Sequence, residues 1–352
     1  MSDRRRWTDH PLTQLTRVRY REFFREPEAV FWVFIFPVLL AAGLGIAFRN
    51  RAPERTGVAV VARDTSAARL VDALRGAAEL QVSVLTDSAA SEALRTGEAA
   101  LVVVPGSDGQ VEYRYDDTRP ESRVARLLVD DAVQRAAGRR DAVPVGERLV
   151  HERGSRYIDF LVPGLLGMNL MGSGIWGVGF AIVDARKKRL LKRLIATPMS
   201  RPQYLASFVL SRLSLLVIEV GLLLGFGVLV FGVPFRGSLL MLVSICVASS
   251  LAFTSMGLLV SSRVQTMEGA SGLMNLVMLP MWIFSGVFFS ASRFPDSLQP
   301  FIQALPLTAV VDALRANILR GAGWQAVAPE LGIIMVWLGV SFLLALKLFR
   351  WR

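Results

Sequence analysis

Residues 184–198 read DARKKRLLKRLIATP, Asp184 to Pro198, and sit between two long apolar runs. From 184 to 212 there are eight Lys or Arg and one acid, a net +7 out of the +11 carried by all 352 residues. Positive charge gathered beside membrane spans marks the cytoplasmic side. The block also has a pattern. Leu190, Leu191, Leu194 and Ile195 recur at i, i+1, i+4 and i+5, which forms one apolar stripe on a helix, and Thr197–Pro198 ends it. A short, basic, amphipathic helix between spans either lies on the bilayer or docks into another protein.

Outward from this block, the hydropathy pattern predicts six spans. Residues 29–48 carry no charge, and 20 residues at about 1.5 Å each cross about 30 Å of hydrocarbon. The others fall at 157–183, 204–235 (apolar from Leu213), 237–262, 269–289 and 330–348. The last has a short apolar run, Leu331–Leu346, bounded by Glu330 and Lys347, whose side chains can snorkel to the interface. The first span is longer than a signal-peptide core of about 7–15 residues and follows 28 mostly polar residues, so it reads as a retained helix.

Charge then sets the expected topology. Residues 1–28 carry +2, 184–212 carry +7, and the tail ends on Lys347, Arg350 and Arg352, whereas 49–156 balances 17 Arg against 17 acids. Both termini and the 184–212 loop are expected inside, and 49–156 outside. Within 1–28, Leu12–Arg25 has helical spacing, with Leu12, Leu15, Val18 and Phe23 on one face and Arg17, Arg21 and Arg25 on another. It reads as an interfacial helix that Pro27 breaks.

Residues 49–156 differ in character. Short apolar runs at Gly57–Val61, Leu80–Leu85, Ala100–Val104 and Val111–Tyr115 alternate with helical stretches at Ser66–Ala78, Ser88–Arg95 and Glu121–Ala137. This predicts a small α/β domain with its own core. The fold class expected is therefore a polytopic α-helical membrane protein of six spans with an inserted extracytoplasmic α/β domain. Residues 290–329 read as re-entrant or interfacial helices on the outer side, with one helical stretch, Phe301–Arg320, containing Pro306.

The missing chemistry narrows function. There is no phosphate-binding G-x-x-x-x-G-K-[ST], no H-E-x-x-H and no G-x-S-x-G. One cysteine, Cys246, and two histidines give neither a disulfide nor a His/Cys metal site. No cofactor, metal or catalytic centre is expected on this chain. The basic charge is a topology signal, and nucleic acid is not an expected partner. Asp116–Asp117 reads as a solvated turn and Asp159 as an interfacial acid. Glu219 is the one deep acid, two turns after Arg212. It fits either a polar group on a substrate path or a local Arg–Glu pair. The Arg-heavy usage, 36 Arg to 4 Lys, suggests a high-GC bacterial source.

Three stretches carry a family resemblance. Leu191, Lys192, Leu194, Thr197, Pro198, Met199, Ser200 and Arg201 resemble the inner-loop signature of permease subunits of type-2 ATP-binding-cassette exporters, although Arg189 and Leu190 replace its usual Gly-Thr. Ser285 to Gly321 resembles the same family's outer segment, through Gly286, Phe294–Pro295, Leu305–Pro306 and Ala313–Leu314–Arg315. Arg25–Pro27 resembles its Arg-Asp-Pro, with Glu26 in place of Asp.

The resemblance implies a non-enzymatic permease subunit in a bacterial inner membrane. Residues 184–203 would be its coupling helix, with Arg186, Lys187, Leu190, Leu191, Lys192, Leu194, Ile195, Thr197 and Pro198 as contacts to a separate ATPase. It further implies two ATPase copies that hold ATP and magnesium, a second permease (identical or paralogous), the bilayer, and a periplasmic adaptor as a further partner. The expected substrate path for a drug, lipid or peptide is lined from spans two and five, at Met168, Asn169, Met171, Met274, Asn275, Met278 and Trp282, with Glu219 beside them. Ser173 lies on the same stretch. The alternative for this layout is a membrane-anchored sensor or scaffold with a ligand-binding outer domain, which needs no Thr-Pro-terminated inner helix.

Overall fold

A computed structural model describes residues 11–48, 55–62, 65–106, 110–140, 143, 146, 154–188 and 201–348. The chain divides into two units, Asn50–Val150 and the remainder, Met1–Arg49 with His151–Arg352.

The inserted unit is a four-stranded sheet in the order β2-β1-β3-β4. Its elements are β1 (Thr56–Val61), α3 (Thr65–Arg75), β2 (Leu80–Leu85), α4 (Asp87–Thr96), β3 (Leu101–Pro105), β4 (Val111–Arg114) and α5 (Pro120–Ala136). β1 pairs in parallel with β2 and β3, and β4 returns antiparallel to β3. The alternation along β1 explains the layering. Val58 and Val60 pack with Val71 and Leu74 of α3 and Ala125 and Val129 of α5, whereas Ala59 and Val61 pack with Ala90 and Ala93 of α4. Central strands covered on both faces read as continuous apolar runs, and β3 is buried at every position. Asp116 makes a turn: its Oδ1 accepts from the Thr118 backbone at 2.9 Å and from its hydroxyl at 2.6 Å. These bonds hold its carboxyl below the usual carboxylate range, the hydroxyl contributing most.

The other unit is helical. α1 (Pro11–Arg25) is followed by α2 (Pro27–Ala47), in which Pro27 opens the first turn, where a missing N–H costs nothing. Next come α6 (Tyr157–Lys187), α7 (Arg201–Phe231), α8 (Leu239–Ser261) and α9 (Met267–Phe284). α10 (Gln299–Ala304), α11 (Pro306–Ile318) and α12 (Trp324–Leu348) complete it. Among the described residues, five helices are long and apolar enough to cross a membrane: α2, α6, α7 (over Val209–Phe231), α8 and α12. The segment expected at 269–289 forms α9, which stops at Phe284; with Glu268, Asn275 and Pro280 it does not join those five.

α6 and α8 form the centre. In each, 61% of the membrane-length window is buried within the chain, against 17–28% for α2, α7 and α12. Two glycines allow their close approach. A methyl on Gly174 would come within 2.7 Å of Phe253 Cβ, and one on Gly257 within 2.8 Å of the Ile175 carbonyl. At this crossing, Ser173–Gly177 of α6 widens into a π turn.

One expectation needs correcting. Phe301–Arg320 is not a single helix containing Pro306. Leu305 is extended, and Pro306 starts a new helix, because proline suits the first turn and clashes in the interior.

Candidate functional site

At the C-terminal end of α6, Arg186 turns back into the chain. Its guanidinium donates to the carbonyls of Ser261 at 3.0 Å, Ser262 at 3.2 Å, and Val264. Lys187 is exposed, and Lys188 pairs with Asp184 at 2.8 Å. Leu190, Leu191, Lys192, Leu194, Ile195, Thr197 and Pro198 lie outside the described residues. α1 leans on α7, where Tyr20 shares a hydrogen bond with Ser214.

Deeper in the helices is a buried polar network. Arg212 and Glu219 share one face of α7 and pair bidentately, Nη1–Oε1 at 2.5 Å and Nη2–Oε2 at 2.8 Å. Glu219 is 1% exposed and Arg212 7%. Arg212 Nη2 also donates to Ser173 Oγ, which lies 3.3 Å from Glu219 Oε2 and back-bonds to the Asn169 carbonyl at 2.5 Å. The Asn169 side chain then reaches a third helix, donating from Nδ2 to the Val33 carbonyl of α2 at 3.0 Å.

Elementary chemistry accounts for that last bond. Val33 lies in a π turn, Phe31–Ile35, in which Phe36 N reaches back five residues to the Phe31 carbonyl. Pro37 has no N–H to continue that ladder, and a carbonyl left short of donors in an apolar medium is costly. Asn169 supplies the donor. The network therefore joins α2, α6 and α7, and it meets α6 at the start of the π turn.

The remaining path residues separate into two groups. Met171, Met274 and Met278 are buried in the chain's own core. Met168, Asn275 and Trp282 are half-buried. Along α9, Leu273, Leu276, Leu279 and Ile283 present an exposed apolar face. Among the described residues, no group of three or more His, Cys, Asp or Glu could hold a metal.

The far end of these helices is laced by charge and backbone. Asp159, fully buried, caps α6: it accepts from Gly154 N at 3.0 Å and from Arg156 Nε at 2.9 Å and Nη2 at 2.7 Å. Arg156 Nη2 also reaches the Gly232 carbonyl, 3.1 Å away, at the end of α7. Arg315 of α11 donates to the Phe160 carbonyl at 3.1 Å and the Gly286 carbonyl at 2.6 Å, and its guanidinium lies 3.5 Å from the Phe160 ring centroid. Asn317 bonds the Ser238 backbone in both directions, at 3.0 and 3.2 Å.

Comparison with known proteins adds the family. Residues 28–347 match the model described as ABC-2 family transporter protein. This chain belongs to that family. It is 28% identical over 173 residues to inner membrane transport permease YhhJ of Escherichia coli K12, which covers 49% of this chain and 46% of that protein. It is 28% identical over 203 residues to nodulation protein J of Bradyrhizobium diazoefficiens, covering 56% of this chain and 76% of that one. Inner membrane transport permease YadH of E. coli K12 is 23% identical over 207 residues, covering 58% and 80%. The chain thus matches about half the length of YhhJ. It is a multi-pass membrane protein of the ABC-2 transport permease family.

Within this ABC-2 chain, sequence reasoning could find Arg212–Glu219 from the seven-residue spacing. It missed Ser173 as their partner, because the link spans two helices and 39 residues. It missed the bond from Arg315 to Gly286, although both residues stood in the motif quoted for the outer segment. The signal available was an arginine on a helix whose first turns, Pro306–Val311, are mostly apolar. Asp159, expected as an interfacial acid, is a buried cap.

Proposed function

We propose that the chain is the permease subunit of an ATP-driven exporter. It carries a hydrophobic or amphipathic substrate along a path formed with a second permease, identical or paralogous, in a bacterial inner membrane. α9 serves as the remaining span, giving six. The α/β unit lies outside, and both termini lie inside. ATP and magnesium are held by separate ATPase subunits, and no catalysis takes place on this chain.

The observation that carries this reading is membership of the ABC-2 family over 320 residues, 28–347. The names of YhhJ and YadH as inner membrane transport permeases agree with it. The +7 inner segment gives it a mechanism. Residues 187–203 present an apolar stripe to a cleft on the ATPase and basic side chains to its acids, while Arg186 turns back onto the chain's own carbonyls and is not one of those contacts. Closure of the ATPase pair on ATP favours one membrane state over the other, and the path switches sides only by that difference in affinity. α6 and α9 border the path. Met168, Asn275 and Trp282 face it, while Met171, Met274 and Met278 form the packed layer behind.

The test is co-purification with the candidate ATPase in lipid nanodiscs, comparing wild type with Leu191→Glu/Leu194→Glu. Wild type is expected to form a complex that hydrolyses ATP, and the double variant to lose assembly or coupling. Absence of an ATPase from the wild-type complex overturns the reading in favour of a membrane-anchored sensor or scaffold. A double variant that behaves as wild type removes the stripe from the mechanism.

A further inference from the structure

We propose that Arg186 is a positioning residue that passes displacement of the inner 184–203 segment to α9. The proposal rests on the permease reading above.

Arg186 lies on the last turn of α6, where the helix runs into that segment. The three carbonyls it holds, of Ser261, Ser262 and Val264, belong to the end of α8 and the turn that leads into α9. Carbonyls at a helix C-terminus have no donor from their own helix and carry the negative end of its dipole. A planar guanidinium can serve several of them in one fixed geometry, which a lysine ammonium cannot reproduce.

The turn is short and is fixed at its other end too. Thr266 caps α9, its hydroxyl accepting from Gly269 N at 3.1 Å. Only residues 262–266 separate the two helices, so little slack exists to absorb a shift of Arg186. α9 is seated on α6 a second time, two turns earlier, where Gly179 leaves the space that Met274 Cε fills. The inner end of α6 is thus held at two points, to the α8–α9 turn through Arg186 and to α9 itself at Met274. Arg186 is the polar one, and the one next to the segment that meets the ATPase.

The test uses the full chain with its ATPase in nanodiscs, in a Cys246→Ser background. Spin labels are placed on exposed positions, Val217 of α7 and Leu276 of α9. Labelled chain is diluted with unlabelled chain so that distances within one subunit are read. In otherwise wild-type protein, ATP is expected to shift the 217–276 distance. In Arg186→Gln the ATPase still co-elutes and the resting distance is unchanged, but the ATP-driven shift is lost. Arg186→Lys keeps the charge and gives a reduced shift. A full shift in both variants overturns the proposal. So does a change of the resting distance in both, which would make Arg186 a cap of α8 and nothing more. If the wild-type chain captures no ATPase or shows no shift, the permease reading fails and the proposal with it, and that failure is visible before any Arg186 variant is examined.

Discussion

The two units of this chain treat charge in opposite ways. In the α/β unit the ion pairs are at the surface: Arg95–Glu92 is 77% and 57% exposed, and Arg114 meets Asp87 and Glu112 in the open. The helical unit has such pairs at its helix ends, as at Lys188–Asp184, but within the helices Arg212–Glu219 is enclosed and Asp159 is fully buried against Arg156. Where water solvates both partners, a pair adds about 0–1 kcal/mol. Where it does not, each charge exists only because the other is present. The same residue types therefore decorate one unit and determine helix positions in the other.

The sharpest way to break this contrast is at Arg212 and Glu219. Either Arg212→Leu or Glu219→Leu alone is expected to cost about 3–5 kcal/mol, since it strands a buried charge. The double variant should recover most of that. Steric-trap unfolding in bicelles measures all three. Equal losses in the single and double variants would show that the pair is not what holds α7.

A smaller effect is expected at Asn169. Asn169→Leu removes the side-chain donor to the Val33 carbonyl, for about 1–3 kcal/mol by the same assay. Pro37→Ala returns an N–H to this turn of α2 and should reduce the cost. A penalty that Pro37→Ala leaves unchanged would mean that Asn169 acts by packing.

In the α/β unit the expected effects are slight. Glu92→Gln should change stability by less than about 1 kcal/mol, with no loss of expression. A larger loss would dissolve the contrast between the units. Tyr113 offers a pH effect at the alkaline end. Burial, then the neighbouring Asp130 whose Oδ1 accepts its hydroxyl, raises its hydroxyl from 10.0 to about 12. The folded state thus keeps a proton that the unfolded state releases. Its stabilisation is complete below pH 10 and is lost as pH rises towards 12. The alkaline absorbance difference between wild type and Tyr113→Phe should titrate near that upper value.

Legibility followed the physics of each region. Burial of β3 on both faces left a pure apolar run in the sequence, and the long helices showed as apolar stretches with few charges. α9 was harder, because Glu268, Asn275 and Pro280 dilute its apolar character. Pro306 fell inside the single helical stretch expected at Phe301–Arg320, because a proline's place in a helix depends on where the helix starts, which the apolar spacing around it did not reveal. The site was legible only within one helix, as at Arg212 and Glu219. The bonds of Ser173 to Arg212, Arg186 to the α8–α9 turn, and Arg315 to Gly286 depend on which helices become neighbours, and no local spacing records that.

The pairing of Arg212 with Glu219 on one helix also bears on how the protein is made. A helix released into lipid with a lone charge must wait for a later helix to neutralise it. α7 brings both signs together, seven residues apart, so it leaves the translocon already neutral at that depth. Its insertion needs no charge from another helix, and the bond to Ser173 of α6, which precedes it in the chain, forms as the two helices settle. The network that ties three helices together in the finished protein thus begins as a pair that one helix assembles alone.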